Sequence, residues 1–330
     1  MTELYPLFFE PVLKSYIWGG RNLEKIGRKL PEDKNIAESW EISAHQDGVT
    51  VVKNGPLAGR TLTELLSIYG EDLIGRNNRW ALDRGKFPLL VKLIDANKPL
   101  SVQVHPDDDY AKKHEGNELG KSEMWVVLDS ETGAGIIYGL GKYLSSEAFM
   151  EAVKSGSLEE YLNFLPLEAG DHVCVPAGTL HAILAGLMIV EIQQNSNTTY
   201  RVYDWNRLGQ DGKPRPLHVD KAIDVINYNQ ISPLLPQPIT VHDDPYSIER
   251  LCQNQYFTTE RITLPKGKEI SGNCNGSTLE IWGVLSGSID VAGYEMKPVT
   301  FVLFPAAMGG YKIRANEGAT LLKTYVGPCA

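Results

Sequence analysis

The sequence predicts a mainly β protein of two barrel-like domains with a few peripheral helices. Three observations carry that prediction. Short apolar or alternating runs bounded by Gly, Pro and Asn recur along the chain, the pattern of strands separated by turns. Helical periodicity is confined to three stretches. The segment Ile231-Ser232-Pro233-Leu234-Leu235-Pro236-Gln237-Pro238 carries three prolines within six residues, which disfavours helix and central strand alike. It reads as a linker and places two domains over 1–235 and 236–330.

Taken in order, strands are expected at Thr50–Lys53, Leu89–Ile94, Met124–Leu128 and Leu187–Ile192. Helices are expected from Thr61 to Leu73, from Ser146 to Leu165 with Ser146 as cap, and from Leu217 to Asn227. The acidic stretch holding Asp107, Asp108, Asp109, Glu115 and Glu118 reads as a loop. Beyond the linker, Leu279–Val291 reads as a hairpin and Pro298–Pro305 as a buried strand entering a turn. Laying Pro305-Ala306-Ala307-Met308-Gly309-Gly310 over Pro176-Ala177-Gly178-Thr179-Leu180-His181 puts Gly310 opposite His181. Glycine has no side chain to offer a metal, so the second domain is expected to lack a metal site.

Composition narrows the partners. At 330 residues the chain has room for two buried cores. A net charge of -9 leaves no broad basic surface for nucleic acid, so an anionic substrate needs a local basic pocket. No apolar run reaches the length of a membrane span. A cytoplasmic location with no membrane partner is the expectation, and the oligomeric state is not indicated. Cys174, Cys252, Cys274 and Cys329 lie scattered without a C-x-x-C pair, which reads as reduced thiols rather than a zinc knuckle or disulfide scaffold.

The chemistry concentrates in a few residues. Gly170 to His181 has the spacing G-x5-P-x-G-x2-H, which resembles the second metal-binding motif of the cupin barrels and makes His181 a candidate ligand. In Ser101-Val102-Gln103-Val104-His105, strand alternation sends Gln103 and His105 to one face, about 6.5–7 Å apart along the backbone. Glu123 opens the apolar run Met124–Leu128. Two imidazoles, a carboxylate and an amide oxygen suit Zn²⁺ with one open position, and iron(II) or manganese(II) would also fit. His172 falls in a spacer with no required chemistry and reads as strand-edge decoration. His45, His114, His218 and His242 match no pattern and read as structural.

With these residues assembled, the chain resembles the short bacterial form of the type I mannose-6-phosphate isomerases, a cupin family. The resemblance rests on Trp18-Gly19-Gly20, Ala37-Glu38-Ser39-Trp40-Glu41-Ile42-Ser43, Leu100 to Asp107, Gly120-Lys121-Ser122-Glu123, Pro176 to Ala182 and Tyr200-Arg201-Val202-Tyr203-Asp204-Trp205. It implies two cupin-like jelly-roll barrels, the second degenerate. One zinc per chain would be held by Gln103, His105, Glu123 and His181, with Arg201 catalytic. The implied substrate is a hexose phosphate: mannose 6-phosphate and fructose 6-phosphate interconvert as a proton moves between C2 and C1 through an enediol(ate). Two departures limit the transfer. Asn197 stands where longer relatives carry an aspartate, and their large helical insertion is absent.

That reaction needs a cation for the developing oxyanion and a group that takes and returns the proton. Arg201 is a permanent cation and cannot be the base. Glu191 and Lys121 are the candidates, each with a charge that burial would move towards neutrality. Lys98, Lys121, Arg201 and Arg207 are candidate phosphate cations. Two rival readings stand beside this one. Two histidines and a carboxylate also form the triad of non-haem iron oxygenases, although Gln103 as a fourth ligand leaves too few open positions. A non-catalytic sugar-phosphate-binding cupin is the other.

Overall fold

The computed structural model describes residues 2–209 and 212–327 and is mainly β. Ten strands divide between two sheets in the first half: β1 Val12–Lys14, β2 Glu38–Ile42, β3 Leu89–Ala96, β4 Val102–Val104, β5 Glu123–Ser130, β6 Gly135–Leu140, β7 Leu162–Pro166, β8 His172–Val175, β9 His181–Ile183 and β10 Leu187–Gln194. An eleventh, β11 Tyr200–Tyr203, closes the series. One sheet runs in the order β8-β5-β10-β3-β2-β1, the other β7-β6-β9-β4-β11. Their facing side chains mix in one core: Trp125 and Val127 of β5 and Val173 and Val175 of β8 cluster with Ile136 and Tyr138 of β6 and Ile183 of β9. Alternation along each strand produces this arrangement. The opposite face of the smaller sheet, with Val102, Val104, Ile137 and Ala182, is covered by Phe149 and Ala152 of helix Ser146–Ser155 and Ala222 of helix Val219–Val225.

After the linker the same pattern recurs. The strands are β12 Ile239–His242, β13 Ser247–Gln253, β14 Thr258–Leu264, β15 Glu269–Cys274, β16 Glu280–Ser286, β17 Ile289–Val291, β18 Tyr294–Met296, β19 Phe301–Phe304, β20 Gly309–Ala315 and β21 Ala319–Tyr325. Their sheets run β19-β16-β21-β14-β13-β12 and β18-β17-β20-β15. Adding eleven to each label of the first pair of sheets reproduces the second, apart from β11, which has no counterpart. Both halves are therefore two-layer sandwiches of one topology. The strand orders are open at both ends, so no sheet closes on itself into the barrel expected from sequence.

The compact units do not follow chain order. One comprises Leu13–Ser39 and Lys92–Leu235; the other joins Met1–Val12 and Trp40–Val91 to the segment from Pro236 onward. This departs from two consecutive blocks, 1–235 and 236–330, for a physical reason that linear reading cannot see. Leu7 and Leu303 exchange both backbone hydrogen bonds at 2.9 Å, the carbonyls of Asp72 and Leu73 accept from Ala307 and Ala306, and Phe8 is buried among the apolar side chains of the later strands.

Several elements differ from expectation. The helix from Thr61 has a full capping box with Glu64 but ends at Tyr69, where Gly70 breaks it before a further turn, Glu71–Ile74. Its neighbour in the sequence stops at Ser155, because Gly156 adopts the left-handed conformation that ends helices, and Leu162–Pro166 continues as strand; Ser145 rather than Ser146 is its cap. The acidic loop contains a helix, Asp108–His114, capped by Asp107, with acids in its first turn and Lys112, Lys113 and His114 in its last. That charge order suits the helix dipole, but the segment lacks apolar periodicity. Cys174 and Cys252 each take part in a disulfide, contrary to the reduced state expected, whereas Cys274 is a buried free thiol.

Leu279–Val291 is not a hairpin. β16 bonds to β19 and β21, and β17 to β18 and β20, so the chain crosses from one sheet to the other at Gly287. Gly287 has φ +75°, and a Cβ there would lie 2.0 Å from the carbonyl oxygen of Gly318. Gly287→Ala is expected to cost at least about 1 kcal/mol, read as a lowered urea midpoint. Gly293→Ala, with a similar φ but open space around the added methyl, should cost less.

Candidate metal centre and pocket

The register of the smaller sheet lines up the functional side chains. His181 on β9 pairs with Gln103 on β4, which pairs in turn with Arg201 on β11. His105 follows two residues after Gln103, and the facing sheet supplies Glu123 at the start of β5, paired with Val175 and Gln193. The turn that delivers His181 depends on Gly178, whose φ is +86° and whose N–H donates to the His105 carbonyl at 2.9 Å.

His105, Glu123 and His181 are each 1% exposed, and one ligand atom from each lies within 4.8 Å of the others. The Nδ1 of His105 stands 2.8 Å from the Thr198 carbonyl, and that of His181 2.9 Å from the Thr179 carbonyl. A carbonyl only accepts, so each Nδ1 carries the hydrogen and each Nε2 keeps its lone pair. Both Nε2 atoms face Glu123, at 3.2 and 3.8 Å. The Gln103 carboxamide comes within 3.4 Å of His181 Nε2.

Around this trio lies a chain of buried charges. Glu38 and Glu191 flank Lys92 at 3.4 and 3.2 Å, Glu191 stands 4.0 Å from Lys121, and Lys121 lies 2.5 Å from Glu123 and 3.1 Å from His105 Nε2. With every group ionised, three carboxylates would face two ammonium groups, so the cluster balances only with a proton on one carboxyl or with an added cation. Glu123 Oε1, despite the nearby ammonium, makes no hydrogen bond of acceptable geometry. Two imidazole lone pairs and an under-satisfied carboxylate oxygen form a donor set that fits a divalent cation.

The protonation states follow from burial and neighbours. Burial, with Lys121 alongside, pushes the His105 imidazole down to about 3, and burial lowers His181 as well. Burial opposes ionisation of Glu123, but Lys121 and the two histidines hold it well below the usual carboxylate range. Burial and the facing Glu123 push Glu191 up to about 8, against Lys92 and Lys121. Burial alone would lower Lys92; Glu191 and Glu38 outweigh it and raise it.

A cavity of about 300 Å³ includes Gln103, Lys121, Glu123, Lys92 and Glu191 in its wall, together with Trp18, Arg201 and Arg215. Arg201 is half-buried, with Nε on Ser101 Oγ at 3.2 Å and Nη1 on the Pro216 carbonyl at 2.9 Å. Arg215 and Arg207 both grip Asp204, at 2.6 and 2.5 Å. Two guanidinium groups thus share one carboxylate, and burial together with the nearby Arg215 lowers the Arg201 pKa. This is the local basic patch that an acidic chain needs for an anion.

Of the residues singled out from sequence, Gln103, Lys121, Glu123, Glu191 and Arg201 line this cavity, and His105 and His181 stand against Glu123. Lys98 lies instead in a separate surface groove, and Arg207 is committed to Asp204 and the Pro99 carbonyl. His172 is buried on the edge strand β8. Sequence reasoning passed over Lys92, Glu38 and Arg215. A lysine inside the apolar run Leu89–Ile94 was a readable signal, since an unpaired buried ammonium is not tolerated; nothing in the spacing marked Arg215.

Fold and site together are those of an enzyme with a buried acid–base cluster. The family description "Phosphomannose isomerase type I, catalytic domain" matches residues 7–126. A Bacillus subtilis protein named "probable mannose-6-phosphate isomerase" is 40% identical over 323 residues, 94% of this chain and 97% of its own length. The mannose-6-phosphate isomerase of Streptococcus mutans is 46% identical over 222 residues, 67% of each chain. The crystal structure of a Bacillus subtilis mannose 6-phosphate isomerase aligns over 97% of this chain and 99% of its own, with TM-score 0.85 and 34% identity. The chain belongs to the type I phosphomannose isomerase family.

The shifts of His105 and Glu191 act on stability in opposite senses. In the metal-free protein His105 binds its proton less readily folded than unfolded, so stability rises with pH between about 3 and 6.5. Glu191 binds its proton more readily folded, so stability falls from about 4.5 to about 8. Above 6.5 the Glu191 contribution stands alone, and a loss of about 2 kcal/mol between pH 6.5 and 8 is expected in urea unfolding. Glu191→Gln should flatten that slope.

Proposed function

We propose that the chain interconverts mannose 6-phosphate and fructose 6-phosphate through an enediol(ate), with one zinc ion per chain. The observation that carries this reading is the convergence of His105 and His181 on Glu123, which lines a pocket together with Gln103, Lys121, Glu191 and Arg201. Gln103, His105, Glu123 and His181 are the proposed ligands. The bound ion would supply a Lewis acid for the sugar oxygens.

The remaining work falls to the chain. Arg201, oriented by Ser101 and the Pro216 carbonyl, and Arg215 favour the anionic end of the substrate, as fixed cations in a half-buried site. Glu191 and Lys121 face each other across 4.0 Å and provide an acid and a base for moving the proton between C1 and C2. A carboxyl group at about 8 lies close to the pH at which such exchange works best. The pocket's depth shields the intermediate from water. The two sandwiches are read as cupin-type jelly rolls, with catalysis in the strands before the linker and a metal-free partner after it.

The deciding experiment is a coupled assay with mannose 6-phosphate before and after chelation, with metal content measured in parallel. Activity lost on chelation and restored by zinc is expected; activity indifferent to metal removal would refute the metal's part. His181→Ala should lose metal and turnover together. Arg201→Ala should keep its metal while losing about 10²–10⁴ in rate, and parental turnover in that variant would remove Arg201 from the mechanism.

A further inference from the structure

The repeated strand order gives the proposed ligand positions of the first site counterparts after the linker. Glu123 shares a rung with Val175 and Gln193; Glu280, at the start of β16, shares one with Phe304 and Tyr325. Two residues on, Trp125 lies between Val173 and Glu191, and Trp282 between Val302 and Lys323. On the smaller sheets His181 pairs with Gln103, and Tyr311 with Gly272. His105 then corresponds to Cys274, two residues beyond Gly272.

This register corrects the overlay that placed Gly310 opposite His181. Ile313 and Ala315 are buried in the core, so alternation turns Tyr311 inward and Gly310 outward. Tyr311 lies six residues after Pro305 whereas His181 lies five after Pro176, an offset of one that proline-anchored counting missed. The ligand set Gln103, His105, Glu123 and His181 thus becomes Gly272, Cys274, Glu280 and Tyr311.

The carboxylate is kept, and its surroundings have changed. Tyr311 Oη donates to Glu280 Oε2 at 2.7 Å, Trp282 Nε1 donates to the same oxygen at 2.9 Å, and Lys323 Nζ lies 2.9 Å from Oε1. Lys323 occupies the position of Glu191, so an acidic neighbour in the first site is a basic one here. In the first site Glu123 has two imidazole lone pairs turned towards it. In the second, a cation tethered to the backbone and two donors saturate the carboxylate.

We propose that the C-terminal unit contains a converted counterpart of the metal centre, in which Lys323, Tyr311 and Trp282 hold Glu280 in place of a divalent ion. Both non-carboxylate counterparts of the ligands carry their protons: burial, with Glu280 nearby, pushes the Cys274 thiol up to about 12 and raises the Tyr311 phenol. Neither is prepared to bind a metal, and the cluster acts as a closed polar clasp between the two sheets. The inference rests on reading the first site as a metal centre, and the test separates the two.

Cobalt(II)-loaded protein is the probe, because Cys274 would give a thiolate-to-cobalt charge-transfer band that the thiol-free first site cannot produce. The parent should hold one ion per chain and show no such band. The double variant Tyr311→His/Lys323→Glu presents an imidazole beside Glu280 and removes the tethered cation; it should take up a second ion and gain the band, which Cys274→Ser should abolish. A parent with no ion sinks the first-site reading. A parent with two ions, or a double variant that keeps the parental circular dichroism yet binds only one, sinks the converted centre. Should the double variant not fold, Glu280→Gln decides: Tm should fall by about 4–8 °C with metal content and turnover unchanged, and an unchanged Tm would overturn the clasp.

Discussion

Burying a carboxylate inside a β-sandwich is the constraint on which the rest of this structure depends. A charge withdrawn from water must be matched within a few ångströms or it will neutralise itself. Glu123 meets that demand through a line of alternating charges from Glu38 through Lys92, Glu191 and Lys121. Fully ionised, the line would be one negative charge over balance, which the proton held by Glu191 or an added cation would offset, and the histidines on either side of Glu123 hold their lone pairs towards it. The site is therefore built to take up a positive charge. Stability alone would favour apolar residues of similar volume, so such an arrangement has a function as its explanation.

The same constraint accounts for the difference between the two sandwiches. They share a strand order, a glutamate at the start of the corresponding strand and a tryptophan two residues later. Only one turns imidazole lone pairs towards that glutamate. A lysine, Lys323, stands where the first sandwich has Glu191, so an acid of the first cluster is a base in the second. A site can be opened or closed to metal in this way while the scaffold stays constant, because the strand ladder fixes where side chains point and leaves their charge free.

How much was legible in the sequence follows from the range over which each signal acts. Strand runs such as Leu89–Ile94 and Leu187–Ile192, and the turn around Gly178, are local and could be read directly. His105, Glu123 and His181 were reachable because their spacing resembled a known motif. Lys92 was a local anomaly whose meaning depended on partners more than fifty residues away in both directions, Glu38 and Glu191. The helix Asp108–His114 is specified by its caps and charge order, so a search for apolar periodicity passes it by. The grouping of Trp40–Val91 with the C-terminal strands, the sheet crossing at Gly287 and the one-residue offset that exchanges Gly310 for Tyr311 depend on long-range pairing, for which a single sequence carries no local sign.

The pocket has a division of labour that its charges make explicit. The buried carboxylates and imidazoles suit a cation, whereas Arg201 and Arg215 in the same wall suit an anion. A ligand with a neutral polyol at one end and a phosphate at the other satisfies both, and reversing it would satisfy neither. Orientation is thus set before chemistry begins, by fixed charges that need no reorganisation. On a chain of net charge -9 the anion-attracting end has to be local and partly buried. Ser101 contributes to that confinement: its hydroxyl accepts from Arg201 and donates to Gln103, linking the anion-binding end to the ligand set through two hydrogen bonds.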